Sequence, residues 1–222
     1  MRNLIKTSIL LILFSCSNDY NLISSKHEVI EVKHAVDSNI IKMISPYKNN
    51  LDKEMNEVIC YAKNDLIKGQ PESTLGNFIC DLSLKKANGE ANICVFNNGG
   101  LRDIIAKGNV TIRDIYKVMP FENELVILEL NRDEYYDLLK YITKRGGEPI
   151  AGTKIIEKKD TILSQYNNYK KIKVLTSDYL ANGGDRMKFF NNKEQQKVGI
   201  KLRDAIIEYC KNQICFYKSI FN

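Results

Sequence analysis

Three short stretches of the chain combine residue types that can recognise a flat, charged ligand. The first, Asn97-Asn98-Gly99-Gly100-Leu101-Arg102, follows the apolar run Ile93-Cys94-Val95-Phe96. Glycines let the main chain approach a ligand closely, a carboxamide reads polar edges, and the planar fork of Arg102 suits phosphate or carboxylate. The second, Met119-Pro120-Phe121-Glu122-Asn123, sets an aromatic beside a stiffening proline, and the third, Asp178-Tyr179-Leu180-Ala181-Asn182-Gly183-Gly184-Asp185, offers another ring. Two facing rings clamp a heterocycle from both sides, and stacking contributes roughly 1–3 kcal/mol per base. Each stretch alone also has a plain explanation. A glycine-rich turn after a strand is often only a turn, a single loop aromatic often packs in the core, and an aspartate such as Asp185 often shapes a turn.

The elements that must position these loops alternate between strand and helix patterns, which places the chain in the α/β class. Val58 to Ala62 and Ile93 to Phe96 read as strands, as do Glu124 to Leu130 and Ile172 to Leu175. Pro71-Glu72-Ser73 opens a helix with apolar positions Leu75, Phe78, Ile79, Leu82 and Ala87, which ends at Asn88-Gly89. Thr111 caps a short helix ending near Val118, and Asn131 with Glu134 forms a capping box for a helix carrying Tyr135, Leu138, Leu139 and Ile142. Val198, Leu202, Ala205, Ile206 and Tyr209 suggest an amphipathic closing helix. Nearer the start, Glu28 to Lys33 alternates like a strand, and Ile40, Ile41, Ile44 and Leu51 give a helical face that Pro46 should kink or split.

With 222 residues, 44% hydrophobic and 27% charged, the chain can bury a core, and its 12 glycines and 4 prolines exclude collagen-like or low-complexity classes. The first residues read as an address. Arg2 and Lys6 precede the apolar run Ile9-Leu10-Leu11-Ile12-Leu13-Phe14, and Leu13-Phe14-Ser15-Cys16 is similar to the lipobox of bacterial lipoproteins, where the cysteine is lipidated. We therefore expect a signal peptide at 1–15, a polar tether at 16–27 beginning with lipidated Cys16, and a folded domain at 28–222. A plain secretory signal or an N-terminal helix are the alternatives.

The formal charge of +6 falls by two once Arg2 and Lys6 are removed, with no basic run to suggest a nucleic acid polymer as partner. Cys60, Cys80, Cys94, Cys210 and Cys215 remain without C-x-x-C spacing, and Cys80 and Cys94 sit in apolar stretches as buried hydrophobes would. His27 and His34 are the chain's two histidines, too few for a dinuclear metal site of its own, and both read as surface residues near the tether.

Taken in order, four motifs resemble the C-terminal, substrate-binding domain of the 5'-nucleotidase family. Glu72-Ser73-Thr74-Leu75-Gly76-Asn77 is similar to the family's glutamate-x-asparagine-leucine-glycine-asparagine helix start. Residues 97–102 are similar to its asparagine-triple-glycine-isoleucine-arginine loop, Pro120-Phe121 to its proline-phenylalanine, and residues 179–185 to its aromatic-leucine-alanine-asparagine-glycine-glycine-aspartate. The match runs roughly from residue 28 to 190. The resemblance implies stacked α/β/β/α layers, Phe121 and Tyr179 as the rings that sandwich the base, Asn97 and Asp185 as polar contacts to the nucleoside, and Arg102 near sugar or phosphate.

Two departures bear on that expectation. Asn98 stands where a glycine is usual, although asparagine tolerates left-handed geometry. Pro71 occupies a position where many members carry a substrate-facing arginine, a loss that Arg113, Arg186 or a partner would have to offset. The family's metallophosphatase half has no counterpart among residues 17–70, so the chain is expected to hold no metal and to have no catalytic residue of its own. The resemblance implies a nucleoside monophosphate or related nucleotide as ligand, and a separate metallophosphatase chain supplying divalent metals for phosphate-ester hydrolysis, while the lipobox-like segment leads us to expect a lipid-anchored chain at a bacterial cell envelope. The alternative is a lipid-anchored protein that binds nucleosides without hydrolysing them.

Overall fold

A computed structural model describes residues 37–159 and 161–212. The expected signal peptide, Cys16, the tether, His27, His34, the strand at 28–33 and Cys215 lie outside the described residues. The chain divides into two compact units, Met1–Met43 and Ile44–Asn222. Of the first, residues 37–43 are described, and they open helix α1 (Ser38–Met55). Asp37 caps it, its Oδ1 accepting from Asn39 N at 2.7 Å and Ile40 N at 3.3 Å. Pro46, expected to kink or split this helix, does not split it: α1 continues through the proline. One lost backbone link is a local cost, and helical turns on both sides propagate across it.

In the second unit a five-stranded mixed sheet carries the core. Its order is β5 (Ile150–Ala151), β2 (Ile93–Val95), β8 (Lys171–Ser177), β4 (Glu124–Asn131) and β9 (Gln196–Lys201). β2 and β8 run parallel and the other pairings are antiparallel. All of β2 and most of β4 and β8 are buried, as near-continuous apolar runs require when both faces of a strand are covered. Two smaller pairs stand apart from this sheet, β1 (Val58–Ala62) with β3 (Gly108–Thr111) and β6 (Ile156–Lys158) with β7 (Thr161–Leu163).

Helix α2 (Thr74–Lys86) packs on β2 and β5 through Leu75, Phe78, Ile79 and Leu82. Full burial of side chains of this size contributes about 1.5–3 kcal/mol each. Its N-cap is Ser73, whose Oγ accepts from Gly76 N at 3.0 Å. The expected capping box of Asn131 with Glu134 is present on α4 (Arg132–Lys144), and the expected cap Thr111 on α3 (Ile112–Val118) also forms one, with Asp114. Helix α6 (Leu202–Lys211) closes the described chain against α2 and β1. Val198, expected on this helix, lies instead on β9. That strand is a half-exposed edge with Gly199 at φ +86° and a register shift opposite β4, so its alternation is interrupted and resembles helical spacing. Cys60, Cys80, Cys94 and Cys210 are free and buried.

Sheet polarity gathers the loops of interest. Because β2 and β8 are parallel while β4 and β9 are antiparallel to their neighbours, the chain leaves β2, β8 and β9 and enters β4 at one end of the sheet. The pairings Leu125 with Ser177 and Glu124 with Lys201 fix that end. Ligand sites form where strand ends open into such loops.

Candidate functional site

The 97–102 loop leaves buried β2 and makes a single 3-10 turn, Asn98–Gly100. Gly100 N donates to Asn97 O at 3.0 Å, and Arg102 N to Val118 O at 2.8 Å. A side chain at Gly100 would meet Asn97 Oδ1 at 2.7 Å, which accounts for a glycine there. Asn98 is not left-handed: it is absent from the positive-φ residues Asn88, Lys159, Asp185, Arg186 and Asn192. It holds the turn by bonding, its Nδ2 donating to Gly147 O at 3.1 Å and its N to Glu148 Oε2 at 2.7 Å.

Ser177 caps helix α5 (Asp178–Ala181), and the chain then passes through Gly183 at φ +87° into Asp185 and Arg186, both left-handed at φ 51° and 65°. Left-handed backbone is costly for residues with a Cβ and persists where surrounding bonds impose it. Asp185 has four such bonds. Its carbonyl accepts from Tyr141 Oη at 2.9 Å, its N donates to Tyr179 Oη at 3.3 Å, its Oδ1 accepts from that hydroxyl at 3.3 Å, and its Oδ2 accepts from Asn97 Nδ2 at 2.5 Å. Asn97 and Asp185 thus bond to one another. Asn97 is 7% exposed, and the arrangement makes it the residue that orients the Asp185 carboxylate. The tyrosine hydroxyl at position 179 also takes part, bonding Asp185 in a way a phenylalanine could not.

Phe121, 39% exposed, lies in the 119–123 loop between buried Met119 and β4. The Arg102 guanidinium sits 5.9 Å from its ring centre, and Arg102 Nη1 donates to Gly99 O at 3.2 Å. Tyr179 is 48% exposed. One carboxylate links the two ring-bearing segments: Asp178 Oδ1 accepts from Glu124 N at 3.2 Å and from Tyr179 N at 2.8 Å. Asn97, Arg102 and Asp185 meet around Gly99, with Arg102 adding Phe121 and Asp185 adding Tyr179.

Beside Phe121, hydrogen bonds from Lys201 and then Arg203 hold the Glu122 carboxyl down at about 2, below the usual carboxylate value. A depressed folded-state pKa stabilises the fold above the ordinary carboxylate pKa and loses that contribution as pH falls toward 2. Wild type should therefore melt above Glu122→Gln near neutral pH, with the gap closing as pH falls from about 4.5 to about 2. A series of thermal melts across that range checks this.

Several residues that support the site carry no periodic or motif signal in the sequence. The Glu148 side chain is fully buried and accepts from Asn98 N and, at 2.6 Å, from Arg145 Nε. The bond to Glu148 raises the Arg145 pKa further. The Arg145 guanidinium lies 5.3 Å from the centre of the Tyr141 ring, and burial pushes the Tyr141 hydroxyl above its ordinary value. Gln70 Nε2 adds bonds to Arg145 O and Gly147 O, both at 2.9 Å. A continuous run from Asn98 through Glu148, Arg145 and Tyr141 thus reaches the Asp185 carbonyl. Of the substitutes considered for the cation missing at Pro71, Arg113 is engaged by Asp52 at 2.6 Å and Asn56 at 3.1 Å. Arg186 opens on a surface cleft of about 490 Å³ shared with Lys140, Lys144 and Lys188. Among the described residues no group of three histidine, cysteine, aspartate or glutamate side chains is placed to hold a metal ion.

The 5'-nucleotidase, C-terminal domain family matches residues 58–150, from β1 to the start of β5. The matched region holds Asn97, Arg102 and Phe121. Over 105 residues the chain is 34% identical to the trifunctional nucleotide phosphoesterase protein YfkN of Bacillus subtilis, covering 44% of this chain and 7% of that one. It is 26% identical over 115 residues to the 5'-nucleotidase of Vibrio cholerae, covering 49% and 20%. The fold is similar to that of the 5'-nucleotidase precursor from Thermus thermophilus, with TM-score 0.67 and 23% identity over 79% of this chain and 40% of that one. The chain thus spans a small fraction of the two relatives and well under half of the solved structure.

Proposed function

We propose that this chain is the nucleotide-binding component of a 5'-nucleotidase-type phosphoester hydrolase, working with a separate metallophosphatase chain. Phe121 and Tyr179 hold the base between them, Arg102 attends sugar or phosphate, and Asp185, oriented by Asn97, accepts hydrogen bonds from the nucleoside. The partner brings the divalent metals that activate water and clamp the phosphoryl group, while this chain supplies orientation, which lowers the entropic part of the barrier. Lipidation of Cys16 holds the component on a bacterial membrane, in the periplasm or on the outer surface.

The observation that carries this reading is the meeting of Asn97, Arg102 and Asp185 around Gly99, with half-exposed Phe121 and Tyr179 attached to the same cluster. The match to nucleotide-hydrolysing relatives supports the ligand class. Calorimetric titration of the purified chain with adenosine and AMP should show binding that weakens in Phe121→Ala and Tyr179→Ala. Adding a metallophosphatase chain should then raise phosphate release from AMP. Binding without that rise would favour a capture role, and no binding of any nucleoside or nucleotide would refute the proposal.

A further inference from the structure

Three consecutive residues at the junction of β9 and α6 grip the three residues that carry Phe121. Lys201 Nζ and Arg203 Nη2 each bond a Glu122 carboxylate oxygen, Leu202 N donates to Asn123 O at 2.9 Å, and Arg203 Nη1 donates to Phe121 O at a long 3.4 Å. Arg203 differs in kind from Lys201. Its side chain is 5% exposed against 42% for the lysine, and its guanidinium centre lies 4.1 Å from the middle of the Tyr116 ring. Among the described residues its Nε finds no partner. Burying a cation with one donor unsatisfied is unfavourable in itself, and what the guanidinium touches is the Phe121 loop on one side and Tyr116 on the other.

We propose that Arg203 is a positioning residue for the base-stacking ring. Clamped on Tyr116, its planar fork fixes the Phe121 carbonyl and Glu122 together and so sets where the Phe121 ring stands. The proposal rests on the reading that Phe121 stacks on the base. A lysine keeps the charge but loses the fork, so it cannot reach both acceptors while lying flat on the ring. Arg203 lies outside residues 58–150.

The test compares wild type with Arg203→Lys, with Glu122→Gln as a second variant that alters the partly exposed side of the contact. Amide hydrogen exchange on the ligand-free full chain should accelerate within residues 119–123 and remain unchanged in β2, β4 and β8. Adenosine affinity should fall about tenfold in Arg203→Lys, part of what one stacking contact contributes. In a Phe121→Ala background Arg203→Lys should cause no further loss, because both changes act through one ring. Unchanged exchange at 119–123 in both variants overturns the proposal, as does an affinity loss that adds in full to that of Phe121→Ala. If wild type binds no adenosine, the nucleoside reading fails, and the exchange result still decides whether Arg203 orders the loop.

Discussion

Gly184→Ala is expected to weaken nucleoside binding by about as much as deleting one face of the clamp, roughly 1–3 kcal/mol. A Cβ built at position 184 lies 2.5 Å from Tyr179 Cε1 and 2.6 Å from both Tyr179 Cζ and Tyr179 O. Real carbon contacts do not approach so closely, so the ring must swing away and the backbone must shift. Gly184 itself has no left-handed φ, so the effect arises from contact with Tyr179 and not from backbone strain. Moving the ring also breaks the paired bonds between its hydroxyl and Asp185. Calorimetry with adenosine reads the affinity and chemical denaturation the stability. In the double variant Gly184→Ala/Tyr179→Ala part of the stability should return, since the ring clash is gone, while affinity stays low. An alanine that binds as wild type does would show that Tyr179 has no part in recognition.

The second large effect concerns stability. Glu148→Ala removes a buried carboxylate that serves two donors, leaving Asn98 N–H without its acceptor and Arg145 without its charge partner. A stranded buried donor costs about 1–3 kcal/mol, and breaking a fully buried ion pair costs about 3–5 kcal/mol. Arg145 is 46% exposed and regains water, so the expected loss is about 2–4 kcal/mol. Urea denaturation measures it. Glu148→Gln should cost less, because its carbonyl oxygen still accepts from Asn98 N while its amide faces Arg145. A loss under about 0.5 kcal/mol for Glu148→Ala would place it with ordinary surface substitutions and remove Glu148 from the support of the 97–102 loop.

Elements with strong local signals were legible in the sequence. Ser73, Thr111 and Asn131 cap helices because their side-chain oxygens answer backbone donors within three residues, and such spacing is visible in one dimension. β2 announces itself as an apolar run, and β8 through Ile172, Val174 and Leu175 around the exposed Lys173. β5, β6 and β7 have two or three residues each and no period to read, and β9 is broken by Gly199, which sent Val198 to the wrong element. The candidate site was legible as motifs and not as bonds. Asn97 and Asp185 pair across 88 residues, and Glu148 reaches Asn98 across 50, partnerships that no local pattern encodes. The asparagine at position 98, where a glycine is usual, suggested left-handed tolerance, whereas what its side chain adds is the Nδ2 donor directed at Gly147 O.

The most direct test of base clamping is the proton NMR spectrum of adenosine titrated with the full chain. Rings stacked on both faces of the base must shift its H2 and H8 signals upfield, and those shifts should shrink in Phe121→Ala and in Tyr179→Ala and vanish when both are changed. Binding with unshifted base protons, or shifts that survive the double change, would contradict the account.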